Sequence, residues 1–148
     1  MRPALVPELY VSSLARSLAF YRDLLGFSLE YDRPEERFAA LALGAARLML
    51  EEAPSLRAAT PAEFAAGQWR TAGLEPPFGR GVNFELEVPD VARIGARLAA
   101  AGHAPLLDVH ERSYRVGARD VRVRQLLVAD PDGYLIRPSE LVAPPGAE

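Results

Sequence analysis

The chain of 148 residues contains neither cysteine nor lysine. Without cysteine it has no disulfide framework, no thiol nucleophile and no zinc–thiolate site. All 17 basic residues are arginine, set against 20 acidic ones, and the net charge of -3 offers no electrostatic reason for a nucleic-acid partner. No stretch approaches the ~20 apolar residues a membrane span needs, and no long apolar targeting core stands at the N-terminus. The sequence therefore predicts a soluble, cytoplasmic protein with no membrane partner. No local motif suggests a Ser–His–Asp set, no glycine-rich phosphate loop follows a strand, and no basic patch interleaves with aromatics.

What is present is ordinary globular composition, 49% hydrophobic and 25% charged, ample for a core. The stretch that organises the rest is Val11 to Phe27, VSSLARSLAFYRDLLGF. Ser12 and Ser13 offer N-cap hydroxyls, and Leu14, Leu18, Tyr21 and Leu25 recur at helical spacing, with Phe20 and Leu24 widening the stripe. Gly26 can take a positive φ and stop the helix. Strands are predicted at Leu5 to Val11, Phe27 to Asp32, Arg37 to Leu43 and Arg47 to Glu52, with a polar turn RPEE between the second and third.

Ala53 to Gly81 differs, being rich in proline and glycine, with one short helix predicted at Pro61 to Ala66 behind a Thr60 cap. At nearly thirty residues this connector exceeds the usual loop length, which points to a lid or binding element. Val82 to Val88 then alternates as a strand, and Asp90 caps a helix carrying Val91, Ile94, Leu98 and Ala101 that ends at Gly102. Further strands are predicted at Pro105 to Glu111, Val121 to Ala129 and Tyr134 to Leu141, the last two joined by the tight turn DPDG. Val11-Ser-Ser-Leu-Ala-Arg16 and Val88-Pro-Asp-Val-Ala-Arg93 each leave a strand and enter a helix. The chain thus reads as an α+β domain, 1–148, of two βαβββ modules: 5–52, a connector 53–81, 82–141, and a tail 142–148 expected to fray.

If the apolar strand faces cover the helices, the opposite faces carry Val6, Glu8 and Tyr10, then Arg47, Met49 and Glu51, then Asn83, Glu85 and Glu87. Carboxylates with aromatic and apolar spots suit a cationic, partly aromatic ligand. The same alternation also fits a solvated outer sheet face. His103, after a helix end, and His110, in the sixth strand, read as structural or solvated, and Ser139 and Glu140 as strand end and surface.

VSSLARSLAFYRDLLGF near the start, VPDVARIGARLAAAG in the second module and DPDGYLIRP near the end resemble the vicinal oxygen chelate superfamily, which includes glyoxalase I, extradiol dioxygenases and bleomycin resistance proteins. The resemblance implies paired βαβββ modules forming a curved mixed sheet around a cleft. In metal-dependent members four side chains converge on a divalent ion, and the matching positions here are Val6, Met49, Asn83 and Arg137. None offers a hard anionic ligand, so no cofactor is expected. A shift of two residues keeps the strand face and leaves one alternative, a divalent-metal lyase or dioxygenase using Glu8, Glu51 and Glu85.

The sequence is most similar to the bleomycin resistance group, through its RLMLEE strand and a connector that holds Trp69. It departs in having no tryptophan on the approach to the seventh strand, ARDVRVRQLLVADPDG. The resemblance implies a homodimer that sequesters a bleomycin-like or other cationic aromatic small molecule in a groove between subunits. The expected ligand contacts are Glu8, Tyr10, Phe38, Met49, Glu51, Trp69, Asn83, Glu85 and Arg137.

Overall fold

A computed structural model describes residues 2–143. Met1 and residues 144–148, most of the tail expected to fray, lie outside the described residues. The chain divides into two compact units: residues up to Arg80 with Pro131–Gly133, and Gly81–Asp130 with the residues from Tyr134 onward.

In unit 1 the order is β1 (Glu8–Val11), α1 (Leu14–Leu18), β2 (Ser28–Arg33), β3 (Phe38–Leu43), β4 (Ala46–Glu52) and a short α2 (Pro61–Ala65). The sheet runs β1-β4-β3-β2, with β1 parallel to β4 and the other pairs antiparallel. Unit 2 repeats the pattern with β5 (Asn83–Glu87), α3 (Val91–Ala100), β6 (Leu107–Val116), β7 (Arg119–Ala129) and β8 (Leu135–Leu141), ordered β5-β8-β7-β6. A parallel pair needs a crossover connection, and in each unit a helix follows the first strand. The α+β class and the two modules expected from the repeat are thus observed.

Alternation sets which face is core. Leu9, Val11, Leu48, Leu50, Ala39 and Leu41 are buried, while the residues between them in β1 and β4 are less covered. In unit 2 Val91, Ile94 and Leu98 of α3 are buried, each contributing roughly 1.5–3 kcal/mol by leaving water.

The first helix departs from a regular α-helix. Ser13, not Ser12, is its N-cap and accepts from the Arg16 N–H. After Leu18 the backbone widens into a π-helix, Ala19–Leu24, with Leu25 N donating to Phe20 O. The wider turn places adjacent Phe20 and Tyr21, as well as Leu25, in the core as the stripe predicted, while Leu14, Leu18 and Leu24 of the same stripe are only half-buried. Ser12 instead donates through N and Oγ to the Asp132 carboxylate, and Phe78 N donates to Asp132 O. These bonds hold Pro131–Gly133 of the DPDG turn within unit 1. Gly133 there has φ 95°, and a Cβ would come 2.4 Å from Pro77 Cβ, so only glycine fits.

Two strands also differ from expectation. The first is regular only from Glu8, although Pro7 O still accepts from Met49 N. β6 and β7 extend into a long hairpin turning near Gly117, because Arg112 to Val116 keeps period-two geometry despite being mostly polar.

Glu140 is more than a strand end. Its carboxylate accepts from Val91 N at 2.8 Å, in the first turn of α3, and from Arg124 Nη1 at 2.7 Å. Glu52 does the same in unit 1, accepting from Leu14 N at 2.9 Å and Arg37 Nη1 at 2.7 Å. Glu140→Ala is expected to lower stability by about 1–2 kcal/mol, the scale of a lost cap plus a charged hydrogen bond, with Glu140→Gln losing less. Urea denaturation of the two variants checks both the loss and its order.

Candidate ligand-binding site

The cleft face of unit 1 is built by register. Glu8 pairs with Met49 and Tyr10 with Glu51 across the parallel β1–β4 ladder, so the four side chains share one face. Above it lies an open cleft of about 750 Å³. Glu8, Glu51 and Trp69 line it together with residues of the turn before β3.

That turn brings charge the strand pattern did not predict. Arg33 pairs with Glu36, and Arg37 with Glu52, so both cleft arginines are already engaged. Glu8 and Glu51 form no ion pair among the described residues. They share a hydrogen bond with each other instead. The Glu51 carboxyl is pushed up to about 7, first by burial, then by that hydrogen bond and the Glu8 charge. Near neutral pH Glu51 is therefore partly protonated, with the Arg33 charge opposing the shift.

The connector delivers Trp69. Thr60 and Glu63 form a reciprocal capping box at α2, and Ala59 N donates to Arg70 O. Arg70 is 2% exposed; its Nε donates to Arg57 O, and its guanidinium lies 5.7 Å from the Tyr10 ring centre. Trp69 N donates to Tyr10 Oη at 3.0 Å. Burial raises the Tyr10 phenol above its ordinary value, opposed by that hydrogen bond. With Arg70 anchored inward, the Trp69 indole is left 62% exposed at the cleft.

The remaining expected contacts are dispersed. Met49 is half-buried on the cleft face, while Phe38 is 2% exposed beneath the Arg33 guanidinium, which lies 3.8 Å from its ring centre. Asn83, Glu85 and Arg137 belong to unit 2, where Asn83 and Arg137 line a separate cleft. Glu85 pairs with Arg137 at 3.5 Å and accepts from Ser139 Oγ, which is buried rather than a surface group. His103 is structural: its Nε2 lies 2.7 Å from Ala129 O. The cleft residues Arg33, Glu36 and Arg37 were missed because they belong to a 3₁₀ turn, Pro34–Glu36, and its flanks, where strand alternation says nothing.

Two four-stranded mixed sheets, each with its crossover helix, define a protein of paired βαβββ modules. The chain matches the model of the glyoxalase/bleomycin resistance protein/dioxygenase superfamily over residues 5–137 and belongs to that superfamily. A superfamily member from Vibrio splendidus 12B01 is 32% identical, covering 91% of this chain and 95% of its own, with a TM-score of 0.40. Lactoylglutathione lyase from Agrobacterium tumefaciens is 21% identical, covering 94% of each chain, with a TM-score of 0.55. TioX from Micromonospora sp. ML1 is 21% identical, covering 93% of this chain and 98% of its own, with a TM-score of 0.62. The last two are similar in fold. A search of curated proteins finds no match. Among the described residues no helix is long and apolar enough to cross a membrane.

The metal of the metal-dependent members does not fit the positions that resemblance assigns to it. Val6 and Met49 bring no hard donor, Asn83 brings a neutral amide, and the Arg137 guanidinium repels a cation. Of the three carboxylates in the alternative set, Glu8 and Glu51 lie together in unit 1, and Glu85, in unit 2, is held by Arg137 and Ser139. Within the described residues no three His, Asp or Glu side chains gather to hold an ion.

Because folding raises the Glu51 value, its protonated form is the one that stabilises. That contribution is full below the ordinary carboxylate value of 4.5 and is lost as pH rises through about 7. Glu51→Gln keeps a hydrogen-bonding amide and removes the titration. Its stability is expected to overtake the wild type's by about 1 kcal/mol at mildly alkaline pH, less than the full shift because water screens an open cleft. Parallel pH–stability curves for the two proteins would rule out the shared proton.

Proposed function

We propose that this protein is a metal-free small-molecule binder of its superfamily, sequestering a cationic, partly aromatic ligand without altering it covalently. One observation carries the reading: two adjacent carboxylates, with no direct ion pair among the described residues, face an open cleft at which Trp69, the one tryptophan of the sequence, is exposed. A ligand cation entering the cleft displaces the shared proton and leaves both carboxylates charged and paired, and the indole face receives a flat group. The reading includes a homodimer, the assembly in which the bleomycin resistance group forms its ligand grooves. Bleomycin, cationic and carrying a flat bithiazole, is a ligand of the right chemistry.

Titrating metal-free bleomycin against Trp69 emission tests this, on protein checked for metals by mass spectrometry. The expected result is a saturable change, weakened about ten-fold by Glu51→Gln through loss of a charge-assisted contact. Proton release on binding at neutral pH is expected as well, read as a dependence of the binding heat on the buffer's ionisation enthalpy. Flat titrations with bleomycin and with ethidium, a simpler planar cation, would sink the proposal. So would a stoichiometric divalent ion in the purified protein.

A further inference from the structure

Unit 2 carries a cleft of its own, and its charge is the opposite. Strand alternation places His110, Arg112 and Tyr114 of β6 on one face, joined by Gln125 of β7 and Arg137 of β8. These residues line a cavity of about 330 Å³, with Leu107, Leu127 and Leu135 supplying apolar wall. No carboxylate lines it.

Its polar groups are organised around one buried amide. Gln125 is 3% exposed, and its Nε2 donates to Tyr114 Oη at 3.0 Å and to His110 Nε2 at 3.1 Å. Its Oε1 accepts from Arg137 Nη1 at 3.3 Å and lies 3.3 Å from Tyr114 Oη. His110 Nδ1 lies 2.8 Å from Asp108 O. A carbonyl oxygen only accepts, so in the neutral ring Nδ1 carries the proton and Nε2 is the acceptor. That assignment agrees with the Gln125 amide pointing its nitrogen at His110 and its oxygen at Arg137.

Gln125 thereby holds Arg137 and Tyr114 in place without neutralising either. The Arg137 guanidinium lies 5.9 Å from the Tyr114 ring centre and that of Arg112 5.3 Å from it. Glu85 offsets Arg137 only partly, at 3.5 Å and with its side chain 52% exposed. Arg112 has no carboxylate partner among the described residues. Two guanidiniums with free N–H groups, an aromatic ring and an apolar wall are thus gathered in a volume at the small end of ligand pockets. Guanidinium forks match carboxylates in geometry as well as charge.

We propose that the unit 2 cleft binds a small planar carboxylate, an aromatic or conjugated acid, through Arg112 and Arg137, with its ring against Tyr114 and the leucine wall. This goes beyond the acidic cleft of unit 1 and rests on different residues, so either proposal can fail while the other stands.

Isothermal titration of the intact protein with cinnamate tests it, with cinnamamide and inorganic phosphate as controls. Cinnamate is expected to bind once per chain, and cinnamamide at least about ten-fold more weakly, because it cannot use the charged forks. Arg112→Gln, an exposed position that folding tolerates, is expected to weaken cinnamate by about ten-fold as well. The same variant is expected to leave the Trp69 response to cationic ligands unchanged. Arg137→Lys, which keeps the charge but loses the fork, should also weaken cinnamate. No binding at millimolar cinnamate, equal binding of the amide, or an unchanged Arg112→Gln variant would each overturn the proposal. Phosphate binding as tightly as cinnamate would overturn it too, since the cleft would then read a bare anion.

Discussion

Each module depends on a glutamate at the end of its last strand. Glu52 and Glu140 reach the first turns of α1 and α3, where helix N–H groups lack intrahelical partners and the helix dipole favours negative charge. Each glutamate also accepts from an arginine, Arg37 or Arg124, at or beside the strand next to its own. One side chain thus ties helix, last strand and neighbouring strand together. With the helix held on that side of the sheet, the opposite face stays uncovered within its unit.

The two uncovered faces show how little of a ligand site a shared scaffold specifies. Both come from a sheet of the same strand order, but the residues that line them come mostly from different strands, β1 and β4 in unit 1 and β6, β7 and β8 in unit 2. In unit 1 the cleft gathers Glu8 and Glu51, and burial and the Glu8 carboxylate raise the Glu51 value. In unit 2 the positions matching Glu8 and Met49 are Glu85 and Arg137, and a neutral amide, Gln125, orients Arg137, with Arg112 brought in from β6. Neither set resembles the converging hard ligands of a divalent-metal centre. The chemistry of each face follows from a handful of side chains that the backbone does not constrain.

Much of this was legible in the chain. Glu8, Glu51 and Trp69 were identified from alternation and from the odd placement of a tryptophan among prolines and glycines, and all three line one cleft. Phe38 could not be judged that way, because the Arg33 guanidinium that covers it comes from the neighbouring strand. Arg112 and Tyr114 were missed although HERSYRV alternates in period two. The polarity of that stretch masked a strand whose outward side chains are mostly exposed. The π-helical turn of the first helix was equally hidden. One extra residue in a turn brings neighbouring Phe20 and Tyr21 inward together and leaves Leu14 and Leu18 only half-buried.

The sequence by itself determined the repeat, the order of strands and helices, the faces that pack and the superfamily, because hydrophobic periodicity and turn chemistry are local and act on every residue of an element. Tertiary structure alone decided which charges remain free. Whether a glutamate caps a helix, pairs with an arginine or shares a proton depends on neighbours tens of residues away. Glu51 and Glu52 make the case: adjacent in the chain and both at the cleft, one has its carboxyl value raised beside Glu8 while the other accepts from Leu14 N and Arg37.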